Sequence, residues 1–512
     1  MKSTRSTCAG RARKTLFVLL LVIPVLVLAQ DNKKPKSSPP PAKPSAPAPH
    51  ASAPVHNNGP SQQHSTAGPT AHQAPGNTAH PNAMGGANNN RGGVNNMGHP
   101  ASNMAPHAGP NANAGHSAPG RQVALRGGGS ANIRSNGQIR SVDRNGMHIE
   151  HGIHGGRTVV STHNGARVVT TGRRGGYVQR AYFARGGRTY VSRTYVVNNV
   201  TYSSVYRSYS YGGYCCYYGY APAYYYAPVY YGWAYNPWPA PAYYSWGWGP
   251  APWYGYYSPY YYQPYPVYPA AYFWVTDWMI AASLQAAYEA QATAWLNPEQ
   301  PNWPLVASLN GAIPAPEEAK VVLSKEVKDQ LAEEVKAQMA EDQTAASKTR
   351  DSSSASPGDA PPPALDPKRR VFVAHDEISV VADGDECSLS DGDVISRVSD
   401  TSDADKNVQV KVLASKKNDC TVGKQFPVSL QDLQEMHNHF REQLTSGMDE
   451  LAKKQGTAGL PKAPDTSKKD GEVPSPPPDS SAAKTLKDQQ AAADQTEADV
   501  KQEAGSSGGG AQ

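Results

Sequence analysis

Between residues 121 and 210 a two-residue turn signal recurs every 9 to 11 positions: Asn136-Gly137, Asn145-Gly146, Gly155-Gly156, Asn164-Gly165, Gly175-Gly176 and Gly186-Gly187. Asn-Gly and Gly-Gly reach positive φ at little steric cost, which is what a tight hairpin turn requires. Short β-prone stretches lie between the turns, at 157–162, 166–171 and 188–197. The pattern predicts an antiparallel meander of about six to eight strands over 121–210. Its apolar face is thin, made mostly of Val and Tyr, with Arg at many remaining positions. Such a sheet is marginal alone and needs a partner, or the Tyr-rich stretch that follows, to cover one face.

That stretch is extreme in composition. Residues 201–272 hold 25 of the 30 tyrosines, and Trp233, Trp238, Trp246, Trp248 and Trp253 join them. Gly and Pro interrupt any period of 2 or 3.6, so residues 211–271 are expected to be a low-complexity segment, sticky rather than folded around a core. The five tryptophans are the candidate contact residues, because aromatic faces stack on sugar rings and attract cations. The alternative is a flexible spacer.

The N-terminus reads as an export signal over 1–29. Lys2, Arg5, Arg11, Arg13 and Lys14 precede an apolar run from Leu16 to Leu28, and Val27-Leu28-Ala29 offers a cleavage site before Gln30. An uncleaved anchor is the alternative, and it would be the chain's one membrane attachment. Residues 30–120 are rich in Pro, Ala, His and Asn and are expected to form a disordered spacer.

Charge is divided along the chain. Residues 1–270 carry 24 Lys/Arg against 3 Asp/Glu; residues 271–512 carry 24 against 39. Such halves attract each other or different partners. For an exported chain the basic half points to anionic envelope polymers or headgroups; nucleic acid is in the wrong compartment.

Beyond the aromatic stretch, 272–342 reads as helical. One helix runs to Leu296, where Asp277 and Glu289 argue against a membrane span. A second falls over 316–342, with Leu323, Val327, Leu331, Val335 and Met339 on one stripe. A linker spans 343–367. Residues 368–456 alternate apolar and polar positions in four short pieces, then show a helix capped by Ser429 and ended by Gly456. Their strand spacing resembles an SH3-like small barrel. Cys387 and Cys420 are expected to form a disulfide in an oxidising compartment, with two free thiols as the alternative. Residues 457–512 read as a disordered tail.

No motif for catalysis or cofactor binding is found. His148, His151 and His154 lie three apart, a spacing that alternates faces on a strand. Twelve of 15 histidines precede residue 165, scattered among Asn and Gly, and read as solvated rather than metal-binding. Asp383, Asp385, Glu386, Asp391 and Asp393 lack the closing Glu of a calcium loop. His437-Asn438-His439 lack a ligand at helical spacing. The adjacent Cys215-Cys216 suit either intermolecular disulfides or no fixed role. No catalytic, cofactor or metal residue is assigned.

The organisation over 155–460 resembles exported Tyr/Gly-rich proteins of soil bacteria of the acidobacterial type. The residues at 186–197, 231–238, 286–290 and 433–443 carry the likeness. That family has no assigned activity, so the resemblance implies export and architecture only. The expected fold class is a largely disordered, low-complexity chain with an antiparallel β-meander, amphipathic helices and a small C-terminal SH3-like β-barrel plus helix. The expected function is a non-enzymatic envelope or extracellular structural or adhesive protein that contacts anionic cell-surface polymers or polysaccharide, or self-associates. A small-ligand or enzymatic site within 368–456 is the rival, and metal or pH buffering by the histidines a third reading.

Overall fold

Asn145 and Asn164 adopt positive φ ahead of Gly146 and Gly165, which also do. Two consecutive left-handed residues reverse the chain with the twist that hairpin strands need. These turns join β3 to β4 and β5 to β6 in the series β1 Gly120–Ala124, β2 Ser130–Arg134, β3 Ile139–Arg144, β4 Met147–His151, β5 Arg157–His163, β6 Ala166–Thr171, β7 Gly175–Arg185, β8 Arg188–Val197, β9 Val200–Tyr211 and β10 Tyr214–Ala221; Gly175-Gly176, expected as a turn, lies within β7. The ten strands form one antiparallel sheet in sequence order. A computed structural model describes residues 120–171, 175–185, 187–197, 200–295, 321–348, 361–416 and 419–506. The signal over 1–29 and the spacer over 30–119 lie outside the described residues.

The aromatic segment departs most from expectation. It forms β11 Tyr224–Tyr226, α1 Pro228–Tyr235 and α2 Pro252–Tyr257, then leads into α3 Ala271–Trp295. Both short helices carry Pro in the first turn, where its missing N–H has no helical partner to lose and its fixed φ suits the helix. Pro here starts helices rather than forbidding them. Tyr230, Tyr257, Tyr261, Tyr262 and Tyr268 are wholly buried in the largest apolar cluster, with Trp274, Val275 and Leu284 of α3. An aromatic side chain buries roughly 150–250 Å², so this segment supplies much of the core. Several of its hydroxyls find acceptors indoors: Tyr230 donates to Met448 O at 3.1 Å and Tyr261 to Gly392 O at 2.7 Å.

α4 Lys325–Ser347 follows, capped by the Ser324 hydroxyl, which accepts from Val327 N. Its stripe of Leu323, Val327, Leu331, Val335 and Met339 is buried in the same cluster. Next come β12 Val371–Val373, β13 Ile378–Ala382, β14 Asp385–Leu389, β15 Val394–Arg397, β16 Asn407–Ala414 and β17 Gln425–Ser429, then α5 Leu430–Lys454.

The small SH3-like barrel expected here is not formed. Strands pair in the order β12-β15-β16-β17, an open sheet, while β13 and β14 pair only with each other. The physical reason is shared packing. The inner face of this sheet closes on Leu430, Leu433 and Met436 of α5 and on Tyr217 of β10, in one cluster. With those neighbours covering its apolar residues, the sheet does not have to close on itself.

Residues 457–506 of the tail are structured too. β18 Lys468–Asp470 pairs with β11, and α6 Ala482–Ser506 lies on the large sheet. Ala482 and Leu486 pack on Val168 and Val178; Ala493 and Val500 pack on Val142, Ile149 and Val159. The thin face of the meander is thus covered by the chain's own last helix. The expectation of a largely disordered chain fails for the described residues, because its polar-looking pieces bury each other.

Candidate functional site

The site is built where the aromatic segment meets α3. Trp274 is buried on the first turn of α3. Trp246 stacks on it with ring centroids 4.7 Å apart, and Trp248 stacks on Trp246 at 4.2 Å. Trp253 and Tyr254 meet Trp248 at 5.4 and 6.0 Å, and Tyr244 meets Trp246 edge-on at 5.0 Å. The stack is anchored from below. Trp246 Nε1 donates to the Tyr268 hydroxyl at 2.6 Å, and Tyr268 donates to Asp277 Oδ2 at 2.8 Å. Asp277 also accepts from Tyr265 N at 2.6 Å. Burial pushes the Asp277 carboxyl up, against the charge of Lys328.

Above this floor the surface is aromatic and half open. Tyr244, Trp246, Trp248 and Tyr254 are partly exposed, and Tyr243 is 73% exposed. Fixed rings with a free face can stack on a sugar ring, and their hydroxyl and indole groups can meet its polar edge. Of the candidate tryptophans, Trp248 belongs to this face, Trp246 is sandwiched between Trp248 and Trp274, and Trp253 is buried. Trp233 and Trp238 fall in a second group, with Trp233 stacked on Tyr230 at 5.6 Å and Trp238 buried beside Trp233. Tyr244 and Tyr254 cannot be distinguished from sequence, because one Tyr in a run of tyrosines carries no individual signal.

Comparison with family models, curated proteins and solved structures finds no match.

Seven arginines of the large sheet pair with carboxylates of the C-terminal half. Arg134 and Arg140 pair with Glu386, Arg144 with Glu503, Arg157 with Asp494 and Glu497, Arg180 with Asp479, Arg188 with Glu472 and Arg193 with Glu435. The charge division read from sequence is therefore realised within one chain.

The remaining candidates separate. His148 meets Asp143 at 2.7 Å, His151 meets Glu497 at 3.1 Å and His154 meets Asp419 at 2.8 Å. Glu386 binds two arginines, Asp393 binds Lys416, and Asp383 sits at positive φ in the β13–β14 turn. Among the described residues no three His, Cys, Asp or Glu side chains are grouped to hold a metal ion. No described helix is long and apolar enough to cross a membrane. Cys387 and Cys420 form a disulfide. A bulge in β10 falls at Cys216, while the Cys215 side chain lies outside the described residues. His437 is buried, and burial drives its imidazole well below the usual range. His439 stacks on His375 at 4.8 Å.

Proposed function

We propose that this chain is an exported, non-enzymatic protein of the cell envelope or extracellular space that holds polysaccharide on the face formed by Tyr244, Trp248 and Tyr254. The observation that carries the reading is the three-indole stack Trp248–Trp246–Trp274, pinned to buried Asp277 and partly open at the surface. Sugar recognition by stacking wants rings held in place before the ligand arrives, because rotamer freedom lost on binding lowers affinity. The Cys387–Cys420 disulfide suits an oxidising compartment, in line with the signal layout of the first 29 residues.

Because so many sheet arginines already hold carboxylates, the contact is assigned to stacking rather than to attraction of anionic polymer. The two differ in salt dependence, since charge attraction between exposed groups is screened within about 8–10 Å at moderate ionic strength. The test is co-sedimentation of the purified chain with peptidoglycan and with exopolysaccharide at low and high salt. Binding is expected to survive high salt and to be lost when Trp248→Ala is combined with Tyr254→Ala. No co-sedimentation, or binding that salt abolishes and the double substitution leaves intact, would overturn the reading.

A further inference from the structure

A second cluster, separate from the aromatic face, lies where β15 begins and β16 ends. Lys416 Nζ is 2.8 Å from Asp393 Oδ1, with the two side chains 4% and 0% exposed. A second carboxylate, Asp419 Oδ2, lies 3.8 Å from the same nitrogen. The Ser390 hydroxyl lies between the two acids, 2.7 Å from Asp419 Oδ2 and 3.3 Å from Asp393 Oδ2. Backbone groups fix both reactants: Ser390 N and Lys416 N donate to the Asp393 carboxylate at 2.8 and 3.0 Å, and Lys416 Nζ donates to Asp391 O at 2.7 Å. The Tyr261 ring stands 5.6 Å from the nitrogen and donates its hydroxyl to Gly392 O. Leu284 closes on Gly392 from α3.

A buried Lys–Asp ion pair is a poor source of stability, because desolvation offsets most of the attraction. The same arrangement is well suited to chemistry. We propose that Lys416 and Asp393 condense spontaneously into an intramolecular isopeptide bond, with Asp419 as the proton carrier.

The step balances without a co-reactant. Lys416 Nζ attacks Asp393 Cγ, a C–N bond forms, and one C–O bond of the carboxyl breaks. Two of the three ammonium protons leave the nitrogen and depart with that oxygen as water; the amide nitrogen keeps the third. Nothing is oxidised or reduced. Attack needs a neutral amine and a protonated acid, and burial favours the protonated form of the Asp393 carboxyl. The two carboxyls divide the work. Burial, against the opposing charge of Lys416, lifts Asp393 to about 7. Burial also pushes Asp419 upward, but its hydrogen bond from His154 and the charge of Lys416 outweigh this and hold it below the usual carboxylate range. Asp419 is thus the acceptor for the amine's proton, and Ser390 bridges it to the oxygen that leaves. Fixed proximity supplies the drive, since effective molarities of well-oriented groups reach about 10⁵–10⁸ M. Among the described residues a second buried Lys–Asp pair, Lys328 and Asp277, is looser at 3.6 Å.

The bond would lock the open end of the β15–β16 hairpin, where Val394 pairs with Ala414, close to the Cys387–Cys420 disulfide. The test is mass spectrometry of the full chain, reduced to remove disulfides and digested with trypsin. The expected product is a branched peptide joining residues 371–397 to 412–417, lighter by one water than the sum of its parts, with no cleavage after Lys416. Lys416→Arg and Asp393→Ala should restore linear peptides, and Asp419→Asn should slow or abolish the bond in a chain that still folds. Linear peptides 371–397 and 412–416 from folded wild-type protein, or a water loss mapped to another pair, would overturn the proposal. That result leaves the polysaccharide reading untouched.

Discussion

Arg193 of β8 and Glu435 of α5 form a two-pronged ion pair, at 2.6 and 2.7 Å, with the arginine only 1% exposed. The guanidinium also donates to Gln179 Oε1 at 2.8 Å and lies over the rings of Tyr177 and Tyr206, at 4.5 and 4.0 Å. This contact joins the basic sheet to the acidic C-terminal half. Removing one partner strands the other in a dry site, at a cost of about 3–5 kcal/mol. Glu435→Ala is expected to lower stability by that amount in urea unfolding. The double variant Arg193→Met with Glu435→Leu should recover much of the loss.

Asn438 stands in for a missing strand. Its Nδ2 donates to Tyr218 O at 2.7 Å and its Oδ1 accepts from Tyr220 N at 2.9 Å, closing the β10 edge of the sheet. Asn438→Leu leaves both backbone groups unpaired, and each unsatisfied buried group costs about 1–3 kcal/mol. Faster amide exchange at Tyr220, with the outer hairpins β1 to β4 unchanged, would be the signature.

His148 gives a pH dependence of defined sign. Burial pushes its imidazole down, but the hydrogen bonds to Asp143 and Glu150 outweigh that and lift it to about 9 from 6.5. Its folded-state proton is held more tightly than in the unfolded chain. The stabilisation is therefore fully present below pH 6.5 and is lost as pH rises through 9. His375 is lifted to about 9 by Asp376 despite its burial, so it titrates in the same window. The comparison must be wild type against His148→Gln. The difference between their unfolding free energies should shrink steadily from pH 6.5 to 9.

The Cys387–Cys420 bridge spans a sequence separation of 33. Closing a loop of that size stabilises by roughly 3–4 kcal/mol in the chain-entropy treatment. Cys387→Ser with Cys420→Ser should lower the urea midpoint correspondingly, and reduction of the wild type should have a similar effect.

Some local geometry made by neighbours in the chain was legible in the sequence, although Gly175-Gly176, expected as a turn, lies in β7. The Asn145-Gly146 and Asn164-Gly165 turns, the Ser429 cap and the α4 stripe all depend on residues within one turn or one hairpin. What could not be read depends on distant partners. α6 shows Ala482, Leu486, Gln489, Ala493 and Val500 on one face, a stripe too weak to signal burial until Val168 and Val178 lie beneath it. Gln489 even donates to Val159 O and Val168 O at 3.3 and 3.0 Å, a polar residue used as sheet cover. The strands of 368–456 showed correct alternation, yet alternation says only that one face is buried, not what buries it. Of the candidate site, the tryptophans were visible but their separation was not. Trp238 and Trp253 face inward while Trp246 and Trp248 are partly exposed.

The central claim is that the Tyr/Trp segment is a packed core that pins a contact face, rather than a loose adhesive strand. Amide hydrogen exchange over residues 224–274, followed by mass spectrometry on the purified chain, tests it most directly. The account predicts strong protection of α1, α2 and the backbone around Tyr261, Tyr262 and Tyr268, comparable to that of α5. Exchange across this stretch at the rate of an unstructured peptide would contradict it.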